Sequence, residues 1–109
     1  MLIFPLKKQW YEKIKSGEKT IEYREVKQYW IKRIEKEISW NITVISKIGE
    51  GHDFNGNYKN HPCKLRLGYT NRYMTANITK IEVVDGKNTD LHIDKSVYAI
   101  HLINVMEVK

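Results

Sequence analysis

Cysteine and proline are scarce in this sequence, and it has no long apolar run. The single cysteine, Cys63, excludes a framework of intrachain disulfides and is typical of a protein in a reducing compartment. No apolar run approaches the roughly 20 residues that a membrane-spanning helix needs, so no membrane partner is predicted. Residues 1–8 place apolar side chains before the charges, which is the reverse of a secretory signal, and a cytoplasmic location is therefore predicted.

Aromatic residues and positive charge, by contrast, are plentiful. Three Trp, seven Tyr and two Phe, together with many Ile and Val, supply the core of one folded domain in a chain of 109 residues. Lysine and arginine number 19 against 13 acidic residues, which gives a formal net charge of +6. Residues 54–81 contain basic residues but no acidic one.

The acid-free stretch 54–81 also contains Tyr69 and Tyr73, which flank Arg72. Cations that contact phosphates and flat rings that stack on bases are the mixture with which proteins bind nucleic acids. A solvated strand face with ordinary core tyrosines is the alternative interpretation, because many small domains are basic for solubility alone.

Periodicity predicts two helices near the start of the chain. Apolar residues at every fourth position indicate helices over Lys7–Ser16 and Val26–Ile38. Gly17 suits the end of the first helix, because glycine adopts the left-handed conformation at little cost. Four large aromatic side chains at apolar positions of the pattern are predicted to lie in the core: Trp10, Tyr23, Trp30 and Trp40.

Short apolar or alternating segments predict strands between and around these helices. They lie at Leu2–Phe4, which Pro5 is expected to end, at Thr20–Arg24 and at 40–45. The Gly- and Asn-rich segment 46–62 is predicted to be a long loop.

Strands dominate the remainder of the chain. A basic strand pair is predicted over 63–84, with its turn at Thr70–Arg72 and a bulge near Thr79–Lys80, where the apolar phase changes. The last strand, Val97–Val105, carries apolar residues on both faces and is predicted to be central. The predicted fold is a single α+β domain over residues 1–109, a small mixed but mostly antiparallel β-barrel flanked by two N-terminal helices.

One segment carries a resemblance to a known family. Residues 6–24 contain an amphipathic helix and then the pattern Gly17-x-Lys19-x-x-Glu22-x-Arg24. This segment resembles the ASCH domain, a member of the PUA-like group of small β-barrels. The resemblance implies a PUA-like fold and the binding of RNA or a nucleotide in a cleft that the motif lines. Some small members look like amidohydrolases that act on acylated cytidines, and others have been proposed to be ribonucleases.

The amidohydrolase type is similar to this chain at Gly17, Lys19 and Arg24, but it has a threonine where Glu22 stands. Its third catalytic group is a glutamate in a later helix, and residues 85–96 contain no glutamate. These two departures count against the deacylase interpretation, so the resemblance favours a ligand-binding role for the motif, with hydrolysis as the alternative.

The motif residues also have a chemistry of their own. Alternation places Thr20, Glu22 and Arg24 on one face of the strand, with Tyr23 on the opposite face and Lys19 just before the strand. Arg24 can bind a phosphate or carboxylate through two parallel hydrogen bonds, and Lys19 can act as a point charge. Glu22 can accept a hydrogen bond from the exocyclic amine of a base, or form a proton-transferring pair with Lys19. The alternative is a Glu22–Arg24 ion pair that only supports the fold, worth about 0–1 kcal/mol if exposed.

These observations define the candidate site. The residues predicted to bind nucleic acid or a nucleotide are Lys8, Lys19, Thr20, Glu22, Arg24, Arg66, Tyr69, Arg72 and Tyr73. If the protein is an enzyme, Lys19 and Glu22 are its predicted catalytic residues. The histidines lack the spacing of metal ligands, so neither a metal nor a cofactor is predicted.

Three function classes remain open at this point. They are an RNA- or nucleotide-binding module, a small hydrolase that acts on a modified nucleoside or on RNA, and a protein-interaction module. An open cleft at the motif favours the first two, whereas a patch filled by side chains favours the third.

Overall fold

The computed structural model describes residues 1–38 and 56–108. These residues form five strands, two α-helices and one short 3-10 helix. In chain order the elements are β1 (Leu2–Leu6), α1 (Lys8–Lys15), β2 (Ile21–Glu25), α2 (Gln28–Ile38), β3 (Gly56–Leu67), β4 (Tyr73–Asp85), the 3-10 helix (Gly86–Asn88) and β5 (Ser96–Val108). Both α-helices therefore lie where the apolar periodicity predicts them.

The strands form one sheet in the order β1-β3-β4-β5-β2. β1 pairs with β3 in parallel, and the other pairings are antiparallel. The sheet curls into a half-barrel whose two edges are β1 and β2. This arrangement confirms the predicted α+β class, the mixed and mostly antiparallel sheet, and the two N-terminal helices. The predicted central position of the last strand is also confirmed, because β5 lies between β4 and β2.

Both helices are fixed to the sheet by burial of their apolar stripes. Tyr11 and Ile14 of α1 are fully buried in the core. Trp30 of α2 stacks on Phe4 of β1, with ring centroids 5.2 Å apart. Burying a side chain of this size stabilises the fold by roughly 1.5–3 kcal/mol relative to leaving it exposed. The chain between the helices, which contains the motif, is thereby held at both of its ends.

The predicted loop at 46–62 is wrong in its second part, because β3 already begins at Gly56. β4 is long enough to pair with β3 from this point, and the register between the two strands shifts after Asn57. Such an irregularity accommodates residues that do not suit a regular strand. Pro62 is tolerated inside β3 because the parallel pairing with β1 starts only at the next residue, Cys63.

The prediction that Pro5 ends the first strand is also wrong, since β1 continues to Leu6. β1 is an edge strand, where the missing N–H of proline can face away from the hydrogen-bond ladder. The predicted strand at 40–45 and the part of the predicted loop before residue 56 lie outside the described residues.

The β3–β4 hairpin has its turn and its bulge where the sequence predicts them. The predicted turn residues Thr70–Arg72 lie between the two strands. The register of β4 against β5 shifts between Ile78 and Lys80, which confirms the predicted bulge. Across residues 1–38 and 56–108, neither α-helix has both the length and the apolar character needed to cross a bilayer.

Candidate functional site

The motif strand β2 directs its charged side chains toward the core face of the sheet. Glu22 lies opposite Ile100 and Arg24 opposite Tyr98, and both of these β5 residues are fully buried. Because cross-strand neighbours share a face, Glu22 and Arg24 lie on the core side, and Glu22 is only 5% exposed. The predicted core position of Tyr23 is wrong, since this side chain is half-buried on the other face.

Arg24 holds the buried carboxylate of Glu22 in place. Its Nε and Nη2 atoms donate to Oε2 of Glu22 at 3.0 and 2.5 Å, and Nη2 also donates to the carbonyl oxygen of Pro5 at 2.7 Å. The guanidinium carbon lies 5.5 Å from the ring centroid of Phe4 and 5.1 Å from that of Trp30. Removal of one partner from a buried ion pair costs about 3–5 kcal/mol, far more than at an exposed pair. Since Pro5 lies on β1, the same guanidinium joins the two edges of the sheet.

Gly17 brings Lys19 to the same place from the end of α1. Gly17 has a left-handed φ of 85°, and its N–H donates to the carbonyl oxygen of Ile14 at 3.1 Å. The N–H of Lys19 donates back to the carbonyl oxygen of Lys13 at 3.0 Å. These bonds form the chain reversal that glycine makes possible at a helix end, and they fix the direction in which Lys19 leaves the helix.

The ammonium group of Lys19 lies between two carboxylates and two rings. It forms an ion pair with Asp90 and lies 3.9 Å from Oε1 of Glu22. The ring centroids of Trp10 and Tyr23 lie 5.1 and 4.9 Å from the same nitrogen. Contacts of this kind with aromatic rings favour a desolvated cation. Lys19 is therefore fixed by charge on one side and by aromatic faces on the other.

Asp90 is the residue of this site that the sequence prediction missed. It follows the 3-10 helix between β4 and β5, where Gly86 organises the backbone. The N–H of Gly86 donates to the carbonyl oxygen of Lys95 at 2.8 Å, and the hydroxyl of buried Thr89 donates to the carbonyl oxygen of Gly86 at 2.8 Å. Asp90 stands far from Lys19 in the sequence and has no local pattern that pairs them, because only the folded sheet brings the two together.

An open cavity of about 340 Å³ lies among these groups. It opens at the seam between β1 and β2, and exposed Lys7 and Lys27 also line it. Its aromatic and charged walls are formed mainly by Trp10, Lys19, Glu22, Tyr23, Arg24, Trp30 and Asp90. We call this space the motif cavity.

The tryptophans differ in their relation to the motif cavity. Trp30 is buried, as predicted. The predicted core position of Trp10 is wrong, because this side chain is half-buried at the cavity wall. The physical reason is the rotation of α1, which buries Tyr11 and Ile14 and leaves Trp10 at the margin of the core. Trp40 lies outside the described residues.

The electrostatics of the motif cavity centre on Glu22. Burial raises the pKa of this carboxyl group, while the charges of Arg24 and Lys19 act in the opposite direction. Burial, followed by the charges of nearby carboxylates, also raises the pKa of Tyr23. A carboxyl group in such surroundings can accept hydrogen bonds from a ligand or take up a proton.

The other predicted binding residues lie outside the motif cavity. Lys8 and Thr20 are exposed and do not line it. Arg66 and Tyr69 line a separate cavity beside α2. The ring of Tyr73 contacts the ammonium group of Lys64, which lies 4.7 Å from the ring centroid.

Arg72 is held at the opposite end of the sheet by Glu107. Its Nη2 atom lies 2.8 Å from Oε2 of this carboxylate. The same carboxylate accepts a hydrogen bond of 2.7 Å from the hydroxyl of Tyr11, and the ammonium of Lys15 lies 3.1 Å from Oε1. The positive charge of Arg72 is thus balanced within the fold. The structure brings Lys19, Glu22 and Arg24 together, places Thr20 at an adjoining cavity that Lys19 also lines, and places the remaining predicted residues elsewhere.

Among the side chains that the structure describes, no group of three or more His, Cys, Asp and Glu is arranged to hold a metal ion. Comparison of the chain with models of protein families, with curated proteins and with solved structures finds no match. The resemblance to the ASCH domain therefore stays a prediction that rests on the motif residues.

Proposed function

We propose that this protein binds a nucleotide, alone or within an RNA chain, in the motif cavity, as an ASCH-like domain with a PUA-like fold. The observation that supports this proposal is the open space of about 340 Å³ beside a buried carboxylate, between aromatic rings. A nucleobase can stack on an aromatic ring and donate a hydrogen bond from its edge to the carboxylate of Glu22. The exposed ammonium groups of Lys7 and Lys27 are suited to the phosphate.

The open cavity favours a ligand-binding role over a protein-interaction module. The interaction hypothesis expects Lys19, Glu22 and Arg24 to be covered by other side chains. Instead, all three line accessible space, although Glu22 is almost buried. A charge that is costly to bury and still borders a cavity is typical of a functional site.

Glu22 also predicts which bases bind. A carboxylate accepts hydrogen bonds from the exocyclic amines of cytosine, adenine and guanine, whereas uracil presents a carbonyl oxygen at the corresponding position. We therefore expect cytidine, adenosine and guanosine monophosphates to bind more tightly than uridine monophosphate.

Calorimetric titration with the four nucleoside monophosphates at low salt tests the proposal. We expect Glu22→Gln to weaken binding about tenfold or more, because a hydrogen bond to a charged group contributes about 1.5–3 kcal/mol and tenfold corresponds to 1.4 kcal/mol. Glu82→Gln is the matched control, since Glu82 is a β4 carboxylate bonded to His101 at 2.7 Å and does not line the motif cavity. Thermal unfolding of both variants shows that they are folded.

Two outcomes would contradict this proposal. Wild-type protein that binds none of the four nucleotides at millimolar concentration rules out a nucleotide site. Equal weakening by Glu22→Gln and Glu82→Gln places the ligand somewhere other than the motif cavity.

A second candidate function is hydrolysis of a modified nucleoside or of RNA, and the ion pair between Lys19 and Asp90 favours it. A lysine between two carboxylates can pass a proton between a ligand and one of them. Incubation with acylated cytidines and short RNAs, followed by chromatography, tests this activity. We expect Asp90→Asn to abolish turnover while nucleotide binding persists, and no turnover by the wild-type protein over the whole panel rules the candidate out.

A further inference from the structure

A second cavity, of about 640 Å³, lies between α2 and the edge strand β1. Its basic and aromatic lining comes from one face of α2 and from β3 with its following turn: Tyr29, Lys32, Arg33, Lys36, Arg66 and Tyr69. We call it the basic groove. Among the described residues, the two linings share only Pro5, so the two spaces are adjacent but are built from different side chains.

The sequence of α2 explains why the groove is basic. Residues Tyr29, Lys32, Arg33 and Lys36 recur at helical spacing and therefore form one continuous stripe. The buried stripe of the same helix contains Trp30 and Ile34. Because the stripe with Trp30 and Ile34 is buried against β1, the basic stripe lies beside the edge of this strand and faces the groove.

The charge of the basic groove differs from that of the motif cavity. Among the residues that the structure describes, four basic and three acidic ones line the motif cavity, so its charges largely compensate each other. None of the described residues that line the basic groove is acidic, while four are basic. Concentrated positive charge without compensation is costly in an unliganded protein and attracts a polyanion.

Exposed aromatic rings accompany these cations. Tyr69 stands in the β3–β4 turn and is 89% exposed, the highest value among the large apolar side chains that the structure describes. The guanidinium carbon of Arg33 lies 3.5 Å from the ring centroid of half-exposed Tyr29. Rings of this kind offer faces for base stacking, and cations beside them contact phosphates.

We propose that the basic groove binds the sugar-phosphate backbone of a single-stranded nucleic acid, with Tyr69 stacking on one of its bases. Lys32, Arg33, Lys36 and Arg66 supply the phosphate contacts. This inference does not rest on the motif cavity, because a strand can be held in the groove whether or not a nucleotide enters that cavity.

Fluorescence anisotropy with a labelled oligouridylate, measured over a range of salt concentrations, tests the groove. We expect Lys32→Ala/Lys36→Ala to weaken binding about tenfold at low salt. The slope of log affinity against log salt should fall by about 1.4, since each phosphate contact on a single strand contributes about 0.7. Lys87→Ala/Lys95→Ala is the matched control: it removes two charges from exposed residues that do not line the groove, and we expect less than about twofold weakening.

Tyr69→Ala separates nucleic acid from other polyanions. We expect this variant to lower oligouridylate affinity about fivefold while heparin binding is unchanged, because heparin has no bases to stack. Equal losses for the two ligands would overturn the nucleic-acid assignment. Equal weakening by the Lys32/Lys36 and Lys87/Lys95 variants would show an effect of net charge alone and would also overturn it.

Glu22→Gln distinguishes this inference from the proposed function. If the basic groove holds the strand, Glu22→Gln should leave the slope of log oligouridylate affinity against log salt concentration unchanged. Loss of oligouridylate binding in Glu22→Gln but not in Lys32→Ala/Lys36→Ala would refute the groove and support the motif cavity. Oligouridylate binding through the groove, together with no binding of any nucleoside monophosphate, would support the groove and refute the motif cavity.

Discussion

Glu22 is the residue on which the candidate site depends, because a buried charge must be compensated where it stands. One carboxylate oxygen accepts from Arg24, and the other lies 3.9 Å from the ammonium of Lys19. Lys19 is in turn held by Asp90. These charges are fixed in place before a ligand arrives, so binding requires little ordering of side chains.

Cys63 provides a test of how tightly the interior beside this residue is closed. Burial, with a smaller contribution from the charge of Glu22, raises the pKa of the Cys63 thiol to about 12, so the reactive thiolate is almost absent at neutral pH. We expect a disulfide reagent such as 5,5′-dithiobis(2-nitrobenzoate) to leave native protein unmodified and to react fully after denaturation. Ser16→Cys adds an exposed thiol and should react at once in the native state. Comparable native rates for both cysteines would contradict the closed interior.

For single residues, the sequence predicts that Lys19, Glu22 and Arg24 lie together better than it predicts which side chains are buried. Alternation along β2 separates Glu22 from Tyr23 correctly, but hydrophobicity then assigns the core face to Tyr23. The structure does the opposite, because Arg24 compensates the buried Glu22 and Tyr23 contacts Lys19. The Glu22–Arg24 pair itself follows from strand alternation, but its burial comes from the tertiary structure, which no local pattern reports. Asp90 escapes prediction for the same reason.

Among the elements, the connection between β4 and β5 controls the position of Asp90. A Cβ atom on Gly86 would lie 2.6 Å from the carbonyl oxygen of Lys95 and 2.8 Å from both the side chain and the carbonyl oxygen of Ile93. The backbone packs so closely here that only glycine fits. The connection is therefore a rigid support for the site.

We expect Gly86→Ala to lower the free energy of unfolding by about 1–3 kcal/mol, the usual cost of overpacking. It should also weaken nucleotide binding, because the displaced backbone would move the cavity wall that Asp90 and Leu91 form, a wall that Asp90→Asn leaves in place. Urea unfolding and calorimetric titration measure the two effects. Gly17→Ala is the control, since nothing lies within 4 Å of its added Cβ, and its cost is the left-handed φ alone. A loss for Gly86→Ala no larger than that for Gly17→Ala would contradict the close packing.

The elements also show where periodicity succeeds and where it fails. Both helices and the central β5 follow from their apolar stripes, because burial alone determines them. The start of β3 does not follow from an apolar stripe, since this part is rich in Gly and Asn. It forms a strand because β4 is long enough to pair with it. Strand pairing through the backbone depends little on the side chains of the added residues, so composition predicts a loop where the fold forms a strand.

For the molecule as a whole, Glu107 ties three separate parts together. Hydrogen bonds from Tyr11, Arg72 and Lys15 lower the pKa of the Glu107 carboxyl group to about 2. Because these partners lie on α1 and at the β3–β4 turn, the carboxylate fixes the first helix to the end of the sheet. The folded state thus prefers ionised Glu107 more strongly than the unfolded chain does.

This preference predicts acid sensitivity. With a folded pKa of about 2 below an ordinary value of 4.5, the contribution of Glu107 is present above about pH 5 and is lost as the pH falls toward 2. We expect Glu107→Gln to be less stable than wild type at pH 7, with the difference shrinking between pH 5 and pH 3. Urea unfolding at several pH values measures it, and Glu18→Gln, at an exposed position, is the control. A difference in unfolding free energy that stays constant across this pH range would contradict the stabilising role of ionised Glu107.

The two edge strands have a consequence for how the protein matures on the ribosome. β1 pairs with β3 and β2 with β5, so each edge strand is made before its partner, and β2 is made long before β5. Closing such long loops costs conformational entropy before the strand pairings stabilise the fold, so β1 and β2 are expected to join the sheet slowly. β2, which carries most of the motif, precedes its partner β5 in the chain and cannot pair with it until β5 has emerged. We therefore expect a chain that is stalled before β5 to lack the pairing that supports the motif cavity.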